Sequence, residues 1–206
     1  MLQNVAVYPI ERDTFHREYI DNCYKTITFL LSYTVLEVPF SAITALCFGA
    51  LSAYPVNLSR TPTAFLVSSL GSFAIVSCGE SLGIMFNTLF SHTGFALNIT
   101  SLILTIATVM GGVMSLNIPS WLQAFNYLSP VKYQIASMAA YSLRGQEFSC
   151  RETQKVNGLC PLQTGEQVLD LYNLDGNPKL NLVALGICCV AYRSIAFLFV
   201  WIMKKR

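Results

Sequence analysis

YPIERDTFHREY, residues 8–19, is a charged segment that leads directly into a long apolar stretch of the chain. Seven of the twelve residues from 11 to 22 are charged or strongly polar. Between them, Phe15, Tyr19 and Ile20 recur at the spacing of one helix face. A helix buried in a protein core would not carry so many charges. The pattern therefore predicts a short amphipathic helix that lies at a membrane surface with its polar side in water.

The composition of the remaining chain indicates an integral membrane protein. Of 206 residues, 53% are hydrophobic and only 12% are charged, whereas soluble domains average about a quarter charged residues. No charged residue occurs between Glu80 and Lys132. The chain also lacks the basic stripe that a nucleic-acid-binding surface requires. An all-α membrane protein without a nucleic-acid partner is the class that fits.

Four apolar stretches are long enough to cross a bilayer, which takes about 20 residues of helix. They are residues 26–54, 63–90, 94–116 and 180–203. Between the third and fourth, residues 117–179 begin with an aromatic run that Pro119 and Pro130 interrupt. We expect this run to form short re-entrant or interfacial helices rather than a fifth span. The rest of the segment is polar and predicts one long external loop.

The orientation of the chain follows from weak but consistent signals. Basic residues divide evenly between the two sides, so the positive-inside rule only leans towards cytosolic termini. Asn57-Leu58-Ser59 is an acceptor for N-glycosylation, which occurs outside the cytosol. Cys150 and Cys160 fall on the same side, where disulfides persist. We therefore expect both termini in the cytosol of a multi-pass protein in the plasma or vacuolar membrane.

Several motifs occur in an order that is typical of one transporter family. They are Pro9, Glu11-Arg12, Phe15, Arg17-Glu18-Tyr19, Tyr24, Glu37-Val38-Pro39, Ser129-Pro130-Val131-Lys132-Tyr133, Thr164-Gly165-Glu166 and Tyr192-Arg193. On these motifs the chain resembles the G subfamily of ATP-binding-cassette (ABC) transporters, the White and breast-cancer-resistance type, and most closely its fungal members. The resemblance implies that residues 1–206 are part of an ABC-2 type transmembrane domain.

That resemblance assigns the amphipathic segment a role. Residues 1–25 would form the cytosolic coupling region that touches an ATPase domain, with residues 1–7 as the tail of a preceding membrane helix. The implied coupling residues are Glu11, Arg12, Phe15, Arg17, Glu18 and Tyr19. The alternative is an interfacial helix without a coupling role. The further implied partners are a second transmembrane domain, the lipid bilayer, and a lipid, sterol or amphipathic compound as substrate.

The chain itself carries no ATPase signature. No glycine is followed by lysine, so a phosphate-binding loop is absent from this sequence. No nucleophile–base or metal cluster suggests an enzyme. ATP and magnesium would therefore bind to an ATPase domain elsewhere, and no cofactor is expected on these residues. Two alternatives remain open: a separate permease subunit, and a non-transporting fragment that regulates full transporters.

Three ionisable residues lie inside predicted spans, where charges are expensive and usually face the bundle interior. Glu37 is 12 residues from Lys25, and Arg193 is 11 residues from Lys204. At the rise of an α-helix both lie about 16–18 Å above the cytosolic flank. Equal depth predicts a Glu37–Arg193 pair, with Glu80 as the rival partner. The pair would be either a relay or gate, or a structural ion pair.

Two further sites are predicted on the third span and the external loop. Asn98, Ser101, Thr105 and Thr108 share one helix face. This stripe either faces amphipathic substrate in a cavity or forms hydrogen bonds between helices. The resemblance implies the substrate cavity, with Val113 and Met114 after a glycine as a plug. For Cys150 and Cys160 we predict an intrachain disulfide, and a bridge to a partner chain is the alternative.

Overall fold

The computed structural model describes residues 2–21, 23, 25–53, 61–90, 92–111, 120–148, 162–174 and 176–203. Eight α-helices account for nearly all of these residues. They are α1 (Leu2–Ile20), α2 (Thr26–Ala53), α3 (Pro62–Leu89), α4 (Thr93–Met110), α5 (Ser120–Asn126), α6 (Pro130–Leu143), α7 (Gly165–Leu171) and α8 (Pro178–Met203). The described part of the chain holds no strand beyond one isolated bridge. The all-α architecture predicted from the composition is confirmed.

Helices α2, α3, α4 and α8 are long and apolar enough to cross a membrane. Their described ends lie close to those of the apolar stretches, although residues 112–116 of the third stretch fall outside the described residues. Much of their surface is exposed leucine, isoleucine, valine and phenylalanine. A soluble protein would bury such side chains, whereas a bilayer solvates them. Four membrane-spanning helices therefore form the body of the protein.

Helix α3 lies at the centre of the bundle and contacts α1, α2, α4, α6 and α8. Its buried face is rich in small residues, including Gly71, Gly79 and Gly83. Small side chains let neighbouring helices approach closely in a membrane. At Gly71 an added Cβ would come within 2.9 Å of the Gln134 side chain of α6. Gly79 and Gly83, which are four residues apart, are both buried in this packing.

The segment after the third span contains two short helices, α5 and α6. Helix α6 has 14 residues, begins at Pro130 in its first turn, and packs against both α3 and α8. Its Gln134 Nε2 donates a hydrogen bond of 3.3 Å to Ser72 Oγ of α3. This helix is part of the bundle rather than a surface feature. The sequence does not indicate this packing, because the alternation of small and polar residues in α6 leaves no strong apolar stripe.

Helix α7 lies near the C-terminal end of the external segment. Thr164 forms a reciprocal capping box with Gln167, as Thr-x-x-Gln predicts for a helix start. Phe148 N donates to Gln163 O at 2.8 Å, which brings the two ends of the loop together. Leu169 is fully buried in a small cluster with α6. A short helix that begins within the Thr164-Gly165-Glu166 motif therefore docks on the bundle.

Helix α1 corrects one expectation about the amphipathic segment, which concerns the residues on its buried face. The helix is continuous from Leu2 to Ile20 with Pro9 inside it, so residues 2–7 belong to the same helix as the charged segment. Phe15 is buried, but Ile20 is 77% exposed and does not share its face. The reason is geometric: five residues turn a helix by about 140°, whereas the seven residues from Tyr8 to Phe15 return almost to the same direction. Tyr8 and Phe15 define the buried face instead.

Candidate functional site

An aromatic cluster attaches α1 to the start of α2. Phe15 stacks on Phe29 with ring centroids 4.5 Å apart and an interplanar angle of 24°. Tyr8 meets Tyr33 edge-on at 5.8 Å. Only 1% of Tyr8 and 2% of Phe15 is exposed. Burial raises the pKa of the Tyr8 hydroxyl above its ordinary value. Since buried aromatic pairs are among the stronger apolar contacts, α1 is held firmly against the bundle.

A second attachment joins α1 to the end of α3. Arg12 Nη1 donates a hydrogen bond of 2.7 Å to the backbone carbonyl of Asn87. This carbonyl belongs to the last turn of α3, where helix carbonyls have no partner within the helix and carry partial negative charge. The guanidinium of Arg12 also contacts Asp13, whose carboxylate is 3.1 Å away. Arg12 therefore links the charged segment to the central helix of the bundle.

The implied coupling residues divide between two sides of α1. Arg12 and Phe15 point towards the bundle, and Glu18 and Tyr19 are half-buried. Arg17 is exposed on the opposite side of the helix. Glu11 is partly buried, and this burial raises the pKa of its carboxyl. The helix can thus offer charges outward while two inward residues hold it in place.

The structure brings together the charges predicted inside the spans. Arg193 Nη2 lies 3.9 Å from Glu37 Oε2, so the predicted pair between α8 and α2 forms. The same nitrogen donates to Thr34 Oγ1 at 2.6 Å. Glu80, the rival partner, is buried in the same region and accepts a hydrogen bond of 3.0 Å from Ser41 Oγ. Three helices therefore meet at one polar cluster in an otherwise apolar bundle.

The polar stripe of α4 lies on an open face of this chain. Asn98, Thr105 and Thr108 are exposed, and Ser101 is half-buried. Thr105 and Thr108 donate their hydroxyls to carbonyls of α4 itself, each at 2.8 Å. Neither hydroxyl bonds to another helix of the described chain.

Other predicted sites cannot be placed in the structure. Asn57, Val113, Met114, Cys150 and Cys160 lie outside the described residues. Within the described ranges, no group of three or more histidine, cysteine or acidic side chains could hold a metal ion. The glycosylation, plug and disulfide assignments therefore stay predictions.

Sequence reasoning missed the aromatic partners of α1. Tyr8 is the first residue of the charged segment, and in the sequence Phe29 and Tyr33 resemble the other apolar residues of a span. A signal was present, because Phe29 and Tyr33 are four residues apart at the start of α2, on one helix face. A matching pair of buried aromatics on α1, seven residues apart, completes the contact. Only the tertiary structure shows that the two pairs meet.

An all-α bundle of membrane-spanning helices with a charged helix attached to one end is an integral membrane domain of the transporter type. A family model for ABC-2 type transporters matches residues 1–142. The chain therefore belongs to the ABC-2 type transporter family. This membership confirms the resemblance drawn from the ordered motifs.

Relatives extend the match over nearly the whole chain. The uncharacterized ABC transporter ATP-binding protein/permease YOL075C of Saccharomyces cerevisiae is 39% identical over 96% of this chain. Protein white of Drosophila melanogaster is 25% identical over 98% of it. The broad substrate specificity ATP-binding cassette transporter ABCG2 of Bos taurus is 24% identical over 98%. The chain spans only 15%, 30% and 32% of the lengths of these relatives, respectively.

Proposed function

We propose that this chain is the membrane-spanning part of an ATP-driven exporter that moves lipids, sterols or amphipathic compounds. ATP and magnesium would be bound by an ATPase domain, in the same protein or on a partner chain. The name of the yeast relative joins an ATP-binding protein and a permease, which supports such a pairing. The chain itself acts as the moving part of the pore and not as an enzyme.

The observation that carries this proposal is the double attachment of α1. Its inward residues are fixed to α2 through the stacked Phe15–Phe29 pair and to α3 through the 2.7 Å bond from Arg12. Its outward residues, Arg17 among them, remain exposed to a partner. A helix that served only to anchor the chain at a membrane surface would not need a bond to a carbonyl at the end of another helix.

This arrangement gives a route for mechanical coupling. Pressure on the exposed side of α1 passes through Phe15 to α2 and through Arg12 to α3. Because the same helices carry Glu37 and Glu80, the movement reaches the polar cluster with Arg193 of α8. Rigid helices joined by discrete contacts move as units rather than deform continuously. The two attachments would thus turn one push into a joint movement of three spans.

The open stripe of α4 would be the surface that meets substrate. Three of its four polar side chains are exposed in the described part of the chain, so a second transmembrane domain is expected opposite them. A cavity between two such stripes would be apolar with polar edges, which suits amphipathic molecules. In this arrangement α1 and the end of α8 face the cytosol, and the protein resides in the plasma or vacuolar membrane.

The test separates transport from ATP hydrolysis in the full transporter. Arg12→Gln removes the bond to Asn87 O, and we expect basal ATP hydrolysis to continue while transport per ATP falls roughly tenfold, the effect of losing one charged hydrogen bond. Thr14→Ala is the matched control, since the exposed Thr14 hydroxyl bonds only to Ile10 O of its own helix. Unchanged transport per ATP in Arg12→Gln would contradict the proposed coupling role of α1.

A further inference from the structure

This chain also contains a cavity that has no role in the function proposed above. It has a volume of about 440 Å³ and sits between α3, α4, the α5–α6 connection and α8. Its wall is almost wholly apolar, with Leu82 of α3 and Ala107 and Met110 of α4 among its lining residues. Pockets of this size and character are typical of small-molecule sites.

Two polar residues that line this cavity have side-chain oxygens without a hydrogen-bond partner in the described chain. Asn126 and Ser129 line it, and only 5% and 8% of these residues are exposed. Within the described chain, Asn126 Oδ1 and Ser129 Oγ have no hydrogen-bond partner. Burial of polar atoms without partners is unfavourable, and more so at membrane depth. The two atoms therefore point to a ligand that supplies the missing hydrogen bonds.

The position of Ser129 strengthens this point. Ser129 is the residue before the first turn of α6, where a serine side chain ordinarily accepts a hydrogen bond from the helix backbone. Here the side chain forms no such bond, and Pro130 occupies the first position of the helix. The hydroxyl is left without a hydrogen-bond partner, in a residue that lines the cavity. A serine used only to start α6 would turn its oxygen towards the backbone.

The chemistry of the lining restricts the ligand. Among the described residues, no charged side chain lines the cavity. The nearby cation of Lys132 is engaged elsewhere, with its Nζ 3.5 Å from the ring centroid of Tyr127. A charged head would therefore be left without a counter-charge at low dielectric. An uncharged hydroxyl matches both partners, because it can donate to Asn126 Oδ1 and accept from Ser129 Oγ.

The mouth of the cavity lies on an apolar part of the protein surface. Ile106, Phe125 and Leu128 line it and are 49%, 66% and 64% exposed. Tyr192 of α8 donates a hydrogen bond of 3.1 Å to Leu128 O and so holds this edge in place. Entry from the bilayer therefore needs no passage through water.

This cavity is distinct from the proposed substrate surface. An α-helix turns by about 100° per residue. On α4, the stripe residues and the cavity-lining residues therefore lie on sides of the helix that are roughly half a turn apart. Thr105 and Thr108 are exposed on one side, while Ala107 and Met110 face the cavity on the other. We propose that this cavity binds a membrane lipid with an apolar body and a single uncharged hydroxyl as its head. The site does not depend on which molecule the exporter moves.

The test is photolabelling of the full-length transporter in lipid nanodiscs. One probe is a long-chain alcohol with a diazirine in its chain, and its reference is the methyl ether of the same chain. A diazirine sterol with a free hydroxyl forms the second arm, which distinguishes ring from chain lipids. We expect peptides from α3, α4 or the α5–α6 connection to be labelled about fivefold more by one hydroxyl probe than by the ether.

Two variants locate the label. Ala107→Phe fills the cavity and should abolish labelling, whereas Leu102→Phe adds the same ring at an exposed position of α4 and should not. Ser129→Ala, a small change that the fold tolerates, should reduce the preference for hydroxyl over ether. Equal labelling by alcohol and ether, labelling that persists in Ala107→Phe, or no labelling by either hydroxyl probe would overturn the proposal. Transport and hydrolysis measured in parallel report separately on the exporter function.

Discussion

Arg193 of α8 lies between two residues of α2: its Nη2 donates to Thr34 Oγ1 at 2.6 Å and is 3.9 Å from Glu37 Oε2. The side chain of Glu37 is 10% exposed and that of Arg193 is 25% exposed. Few other contacts join these two helices, since α3 mediates most of the packing between them. The pair is thus a specific link between the first and last spans of this chain.

Removal of one member of this pair should be worse than removal of both. Arg193→Met leaves the Glu37 carboxylate buried without its cation, and we expect a loss of about 2 kcal/mol in the free energy of unfolding. The double variant Arg193→Met with Glu37→Gln should recover most of that loss. Thermal unfolding of the purified transporter in detergent measures both. A double variant no more stable than Arg193→Met would show that the two side chains do not interact.

The aromatic contact of α1 should stabilise the fold as well as transmit movement. Phe15→Ala empties a nearly fully buried site, and we expect it to lower the free energy of unfolding by about 3 kcal/mol. Ile20→Ala on the same helix removes an exposed side chain and should change it by less than about 0.5 kcal/mol. Denaturant or thermal unfolding compares the two variants. Equal effects would contradict the assignment of Phe15 to the buried face.

Glu11 should make stability depend on pH in a definite direction. Burial raises the pKa of its carboxyl, so the folded state holds this proton more tightly than the unfolded state. Its contribution is therefore most favourable below the ordinary carboxyl pKa of about 4.3 and is lost as the pH rises through the raised value. Glu11→Gln should leave stability unchanged in the acid range and increase it at neutral pH. A decrease at neutral pH would reverse the sign and refute the assignment.

Gly165 is required by the contact between the external segment and α6. An added Cβ there would overlap the backbone carbonyl of Leu143, which cannot move aside as a side chain can. We expect Gly165→Ala to lower stability by about 2 kcal/mol and to expose the loop to proteases. Gly186→Ala in α8 is the control, because nothing lies within 4 Å of its Cβ and alanine favours a helix. Protease resistance equal to that of the parent would contradict this reading.

The stripe on α4 should determine which compounds are moved. Replacement of Ser101, Thr105 and Thr108 together by valine removes three hydroxyls, keeps the shape of the two threonines and adds one methyl group at the half-buried position 101. We expect a changed substrate profile with little loss of stability. Little stability is lost because Thr105 and Thr108 bond only within their own helix. Transport assays with a panel of amphipathic dyes check the profile. An unaltered profile would favour the alternative, in which the stripe serves helix packing with another domain.

The sequence alone determined the class of this protein and the course of its chain. The charge-free interval, the apolar lengths and the ordered motifs predicted four spans, a charged helix before them and the transporter family. Equal depth even predicted the Glu37–Arg193 pair, because a buried charge in a membrane needs a partner at its own level. Such features depend on local composition and on distance along one helix, which a sequence records directly.

Only the tertiary structure decided which faces meet. It placed Tyr8 rather than Ile20 inside, joined Arg12 to a carbonyl 75 residues away, and packed α6 against both α3 and α8. It also revealed the cavity in which Ser129 and Asn126 are unsatisfied. In a bilayer most helix faces are apolar, so hydropathy does not distinguish a face towards lipid from a face towards protein. That choice is made by small residues, caps and side-chain geometry, which come into contact only when the helices assemble.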